Sequence, residues 1–440
     1  MGSMVGGGVW LLAVSQTRII ALAVLLFPVI GSVIGMLVVI LMEKRRARNN
    51  SISTNHGMAT EPDKPKRKRR WFRFSLKTLV VVLTLFCVLM ATLGSLVYRV
   101  NKQREAVQSV RDHGGTVYYD FEWDAEKGRI EDAKPPGPDW LRELIGIDYF
   151  ADVVFVESYS WKSDDLRPLQ SLTDLESLLL YGSQVSDLGP LSELTQLKEL
   201  RLLETSVSDI RPLRSLTQLQ VLWLGSTKVS NIEPLRELTQ LRQLLLSGMP
   251  VSDIGPLKHL TQLELLTLSG TQVSDLQVVA GLNKLEWLGV SSSPVSDIAP
   301  LRNLAQLKTL GLAATRVSNL APLADLDQLQ SLVLDRTPVS DLTPLRKLTQ
   351  LEWLTLSGTP VADIEPLRNL TRLEHLNLHG TQVSDLDPLR NLTKLKSLGL
   401  SGTPIADLTP LIGLNGVKIS LDEGKQVLVP EELKDQVERW

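Results

Sequence analysis

Histidine, cysteine and clustered carboxylates would carry chemistry in a chain of this kind, and here they are sparse. The histidines are His56, His113, His259, His375 and His379, and none stands beside a serine or cysteine in the setting of an activated nucleophile. His375, Asn377 and His379 alternate like the outward residues of one strand. That spacing separates the two imidazoles by roughly 13 Å at the usual rise, too far to share a metal ion. Aspartates recur in Val-Ser-Asp triplets such as Val251-Ser252-Asp253. Calcium binding is one reading, but a single carboxylate per repeat, just ahead of a turn, is what capping of backbone N–H groups requires. The single cysteine, Cys87, excludes an internal disulfide and a cysteine zinc cluster, and it lies in an apolar segment. No phosphate loop or dinucleotide fingerprint occurs. The expectation is a chain that is not an enzyme and needs no cofactor and no metal.

The element that must position any functional side chain is a repeat. Leu169, Leu191, Leu213, Leu235, Leu257, Val279, Leu301, Leu323, Leu345, Leu367, Leu389 and Leu411 fall on one register, 22 residues apart, with no insertion. One unit, Leu219 to Gln240, reads LQVLWLGSTKVSNIEPLRELTQ. Leu222 and Leu224 are two residues apart, so they point to one side of a short strand while Trp223 points to the other. Val229, Ile232 and the helical-looking turn from Pro234 to Leu238 add further inward apolar groups, with Asn231 (Asp in most units) placed to cap that turn ahead of its proline. A single coil cannot bury its apolar side alone. Stacked coils share a continuous leucine core and line their strands up as a parallel sheet. Eleven complete units at about 4.8 Å per strand would make a curved body roughly 50 Å long.

This pattern resembles the leucine-rich repeat family, in its short 22-residue internalin-like class. The resemblance implies an α/β solenoid, an arc with the parallel sheet on its concave face. Where the family carries an asparagine that bonds buried backbone between coils, this chain has Thr205, Thr227, Thr271, Thr315, Thr337, Thr359, Thr381 and Thr403, with Ser183 and Ser293 as variants. A stacked row of hydroxyls is expected to do a similar job for neighbouring coils. Met249 cannot, and Val278 replaces the unit's proline, so local irregularity is expected near both.

Ahead of the repeats the chain reads as membrane-anchored. An extracytoplasmic N-terminus (1–18) precedes an apolar run at 19–42, long enough to span a bilayer as a helix. The basic segment 43–77 holds twelve Lys or Arg against three acidic residues, although the net charge of the whole chain is only −2. A second span is expected at 78–98. Short basic loops stay on the cytoplasmic side, which would leave the repeats outside. The near-neutral balance argues against nucleic acid as a partner. A juxtamembrane helix from Asn101 to Asp112, stopped by Gly114-Gly115, and a strand from Thr116 to Trp123 open an α+β cap (99–168) before the array (169–416) and a C-terminal cap (417–440). In that cap Pro430 to Trp440 reads as an amphipathic helix. The RFSLKTL membrane entry, the KQREAVQSVRDHGGTVYYDFEW stretch and the repeats after it resemble the membrane-anchored leucine-rich repeat proteins of planctomycete bacteria, which implies an envelope location.

Function must then come from the open side of the sheet. Most outward residues there are small, such as Thr267, Gly289 and Gly311, but large ones collect in the first coils. Leu179, Arg201, Trp223 and Leu245 form one column, flanked by Tyr181, Leu203 and Val221. Trp287, Trp353 and His375 lie further along. Exposed aromatic and aliphatic groups beside an arginine suit a protein or cell-envelope ligand. The competing reading has these side chains packing on one another, Arg201 over Trp223. Two other roles stay open: a structural envelope protein that packs or self-associates through the array, and a cytoplasmic-facing scaffold with inverted topology.

Overall fold

The computed structural model describes residues 76–124 and 128–439. The first expected span, 19–42, and all but the end of the basic segment lie outside the described residues.

The described chain falls into two compact units. The first contains helix α1 (Leu76–Asp112) as far as Tyr98, together with residues Pro136–Phe150. Among the described residues α1 is the one helix long and apolar enough to cross a membrane, and Val81, Leu85 and Val88 along it are exposed. Two separate helices were expected, ending at Tyr98 and beginning at Asn101. The helix is unbroken because the junction contains neither glycine nor proline, so every N–H there finds its carbonyl four residues back. Residues Pro136–Phe150 supply α2 (Asp139–Ile145), which starts after Pro138, and a 3₁₀ turn at Ile147–Tyr149.

The second unit starts at Arg99 and carries a sheet of fifteen strands. Strand β1 (Thr116–Tyr119) runs antiparallel to β4 (Val153–Ser158). The expected strand from Thr116 to Trp123 ends early: the chain turns after Tyr119, and Trp123 joins a separate hairpin of β2 (Trp123–Asp124) and β3 (Gly128–Arg129). From β4 onward every strand is parallel to the next, through β5 (Ser177–Tyr181), β6 (Glu199–Leu203), β7 (Val221–Trp223), β8 (Gln243–Leu245) and β9 (Leu265–Thr267). β10 (Trp287–Gly289), β11 (Thr309–Gly311), β12 (Ser331–Val333), β13 (Trp353–Thr355), β14 (His375–Asn377), β15 (Ser397–Gly399), β16 (Lys418–Leu421) and β17 (Val437–Arg439) continue it.

Each strand's central leucine points inward, and Leu222, Leu244, Leu266, Leu288 and Leu310 are completely buried. Burying one such side chain stabilises by about 1.5–3 kcal/mol, so the stacked leucines supply the main driving force. The return leg of each coil is a 3₁₀ turn, such as Glu233–Glu237, rather than an α-helix. A turn of three to six residues with proline near its start is too short to settle into an α-helix. The capping role of the triplet aspartates is visible bond by bond. Asp209 accepts the N–H of Arg211 at 2.9 Å, Asn231 that of Glu233 at 2.9 Å, and Asp253 that of Gly255 at 2.8 Å.

The hydroxyl row differs from expectation. Thr271, Thr315, Thr337, Thr359, Thr381 and Thr403 donate at 2.6–2.7 Å to the carbonyl three residues earlier in their own coil, not to a neighbour. The threonine side chain is one atom shorter than asparagine and has a single rotatable bond to its oxygen, so it closes the local turn instead of reaching across. Ser293 does the same to Val290, whereas the hydroxyls of Ser183, Thr205 and Thr227 are buried without a partner among the described residues. The irregularities expected at Met249 and Val278 are not there. Met249 is buried, the 3₁₀ turn Gln277–Gly281 forms without proline, and β8, β9 and β10 stay in register. Met249 takes the buried position that a hydroxyl holds in most other coils, and Val278 takes the half-buried position of the proline.

Both ends of this sheet are covered. The last turns of α1 bury Val100, Ala106, Val107 and Val110, Gln103 Nε2 donates to the Ala151 carbonyl at 2.9 Å, and Ser171 Oγ donates to the Lys102 carbonyl at 3.1 Å. At the far end the expected helix from Pro430 is a 3₁₀ turn, Glu431–Gln436, with Leu433 buried, followed by β17. Val437 therefore belongs to a strand: it adds to the open edge of β16, where backbone groups would otherwise lack partners.

Candidate binding site on the open sheet face

The parallel register turns a 22-residue spacing in sequence into rows of adjacent side chains. Leu179 sits beside Arg201, Arg201 beside Trp223, and Trp223 beside Leu245, each on consecutive strands. The row then continues through Thr267, Gly289 and Gly311. Tyr181 and Leu203 are paired next to the row on one side, and Val221 lies in the flanking row on the other. The first two strands of this patch have five residues and those after them three, so the open face is broadest here.

Arg201 carries the main electrostatic feature. Its guanidinium carbon lies 4.0 Å from the centre of the Trp223 ring, and its far nitrogen pairs with Glu199. The packing expected between these two side chains is therefore present. Arg201 Nε and Trp223 Nε1 are nonetheless buried with no hydrogen-bond partner among the described residues, a costly arrangement for two N–H donors. Tyr181, 38% exposed, donates its hydroxyl to Glu204 at 2.7 Å, and this hydrogen bond raises the phenol's pKa above its ordinary value. Glu204 occupies the left-handed position of its turn, with φ of +55°.

That left-handed position recurs once per coil and was missed in the sequence. It falls on Gly182, Gly248, Gly270, Gly358, Gly380 and Gly402, but on Glu204, Ser226, Ser292, Ala314 and Arg336 in the others. The signal was the glycine that so often precedes the ladder hydroxyl, a residue at ease with positive φ.

The remaining expected site residues lie apart from the patch. Trp287 is 38% exposed between Leu265 and Thr309. Trp353 is 43% exposed between Ser331 and His375, and its ring lies 4.3 Å from that of His375. His379 does not share a strand with His375, because β14 ends at Asn377. Its Nδ1 instead accepts the N–H of Ser401 in the next coil at 3.0 Å. Among the described residues no group of three or more His, Cys, Asp or Glu side chains is placed to hold a metal ion.

Comparison with known proteins agrees with this architecture. The family described as Leucine Rich repeats (2 copies) matches residues 195–237, 349–391 and 371–413. No curated protein matches the sequence. The crystal structure of an internalin, InlF, from Listeria monocytogenes is 30% identical and superposes with a TM-score of 0.60 over 66% of this chain and 85% of that one. The functional domain of InlJ from Listeria monocytogenes, which includes a cysteine ladder, is 20% identical over 61% of this chain and 58% of that one, with a TM-score of 0.52. A leucine-rich repeat protein of Leptospira interrogans is also 20% identical, over 57% and 74% respectively, with a TM-score of 0.50. On its repeats, its strand register and its likeness to InlF, the chain belongs to the internalin-like leucine-rich repeat proteins.

Proposed function

We propose that this chain is a binding module, held at a membrane through its apolar N-terminal region, that docks a protein segment on the first coils of its sheet face. The observation that carries this reading is the row Leu179, Arg201, Trp223, Leu245, which gives way abruptly to Thr267, Gly289 and Gly311. A scaffold kept only for packing has no need of an aromatic and aliphatic cluster gathered in its first coils. Affinity would rest on Trp223 and Leu245 as anchors, with Arg201 Nε and Trp223 Nε1 as donors for carbonyl groups of an extended partner once Arg201 swings aside. The rigid sheet would need no ordering on binding, which limits the entropic cost. The basic segment before α1 supports an extracytoplasmic array, and protease treatment of intact cells that spares the repeats would overturn that orientation.

Peptide-display selection against the detergent-solubilised full chain tests the docking site. Selected peptides should lose binding to Trp223→Ala and Leu245→Ala chains whose circular dichroism is unchanged. Peptides indifferent to both substitutions would remove the first coils as the site.

A further inference from the structure

A second site lies six strands along the same face from Trp223, about 29 Å at the usual strand spacing, and owes nothing to the docking reading. It is a hollow of about 180 Å³ with Trp353 on one side. We propose that it binds one neutral sugar ring.

Three features of the hollow point to that class of ligand. The first is a flat apolar platform. Trp353 is 43% exposed and its ring is braced by His375 at 4.3 Å, so it can take the C–H face of a pyranose by stacking. The second is a set of fixed polar groups that line the hollow with it. Asn377 Oδ1 accepts the N–H of His379 at 3.0 Å, which leaves the amide hydrogens of Asn377 for a ligand. His379 Nδ1 accepts the Ser401 N–H at 3.0 Å. A backbone N–H can be accepted only by a ring nitrogen without a proton, so the ring hydrogen sits on Nε2, which lies 3.4 Å from Ser420 Oγ. Donors from amide and imidazole beside hydroxyls that both donate and accept match the groups on a sugar ring. The third feature is the absence of Lys, Arg, Asp and Glu among the lining residues, which disfavours phosphates, carboxylates and cations. The volume suits one ring rather than a drug-sized ligand.

Gly399 makes the arrangement possible. A Cβ there would come within 2.6 Å of His379 Nε2 and 2.8 Å of Asn377 Oδ1, so only glycine lets both side chains lie across it. Trp287 occupies the same row three coils earlier, where its strand neighbours are Leu265 and Thr309 and no such polar set stands beside it.

Saturation-transfer NMR on the full chain in a non-sugar detergent tests the proposal. Methyl glucoside, methyl galactoside, methyl mannoside and N-acetylglucosamine are offered one at a time, with N-acetylglycinamide and inorganic phosphate as comparators. At least one sugar should take up saturation on one face of its ring. Trp353→Ala should abolish the transfer, Gly399→Ala should weaken affinity about tenfold by displacing Asn377 and His379, and Trp287→Ala should change nothing. The proposal is overturned if no sugar responds, if the response survives Trp353→Ala, or if N-acetylglycinamide outcompetes every sugar and so marks a pocket for peptide backbone.

Discussion

The first coils of the array and the middle ones are cut from the same repeat, yet they differ in two ways. Outward, Leu179, Arg201, Trp223 and Leu245 give way to Thr267, Gly289 and Gly311. Inward, the hydroxyls of Ser183, Thr205 and Thr227 have no partner among the described residues, while Thr271 and Thr315 each close their own turn. The leucine core between these two layers does not change. Regular packing thus sets the frame, and the outward strand residues and the hydroxyls of the following turn can both drift from coil to coil without disturbing it.

Substitutions in matched pairs can break or sharpen that contrast. The largest effect is expected in the shared core. Leu222→Ala and Leu310→Ala should each cost about 2–5 kcal/mol in urea unfolding, and by similar amounts, because both side chains are completely buried in equivalent slots. A markedly smaller loss at Leu222 would mean that the first coils rest on a looser frame. Next comes the hydroxyl row. Thr315→Val removes a bond to the Leu312 carbonyl and should cost about 1–2 kcal/mol, whereas Thr227→Val should be neutral or stabilising. Equal losses would mean that Thr227 has a partner after all.

A smaller effect separates a docking patch from a self-packed one. A double-mutant cycle between Arg201 and Trp223, read by thermal unfolding, should give a coupling of about 0.5–1 kcal/mol. A much stronger coupling would favour packing for its own sake. The smallest effect concerns acid. Asp341 is held below the ordinary carboxylate range first by its hydrogen bond from the Thr343 side chain and then by that from the Thr343 backbone. A carboxyl whose folded pKa is depressed contributes stability above its unfolded value and loses it as pH falls through the folded one. Asp341→Asn should keep the turn, as Asn319 does for Ala321 with a 2.9 Å bond, and should slightly reduce the loss of stability on acidification. A steeper acid transition in that variant would contradict this.

The coil itself was legible because leucine spacing, proline and aspartate each answer to one physical demand. Core, turn and cap could be read in turn from Leu222, Pro234 and Asn231. The adjacency of Arg201 and Trp223 followed from the period alone. What escaped depended on choices that several residues satisfy equally. The left-handed corner accepts Arg336 or Ala314 as well as Gly402, which blurs its signal. The threonine hydroxyl has two possible acceptors, one in its own turn and one next door, and composition does not choose between them. The continuity of α1 was hidden by a change of polarity at Arg99, which alters what the helix faces and not whether it forms. Strand β17 was hidden by a stretch whose apolar residues fit either period.

The uniform register also makes the array a ruler with fixed graduations. Each coil passes its backbone bonds to the next at the same offset, as when Gln220 accepts from Arg242 and Arg242 accepts from Glu264. Excising 22 consecutive residues from the middle of the array would heal without a scar, whereas excising 21 would leave one coil a residue too long and strain the array at that coil. The distance between Trp223 and Trp353 can therefore change only by whole steps of about 4.8 Å. Any partner that touches both places at once would sense the loss of a single step.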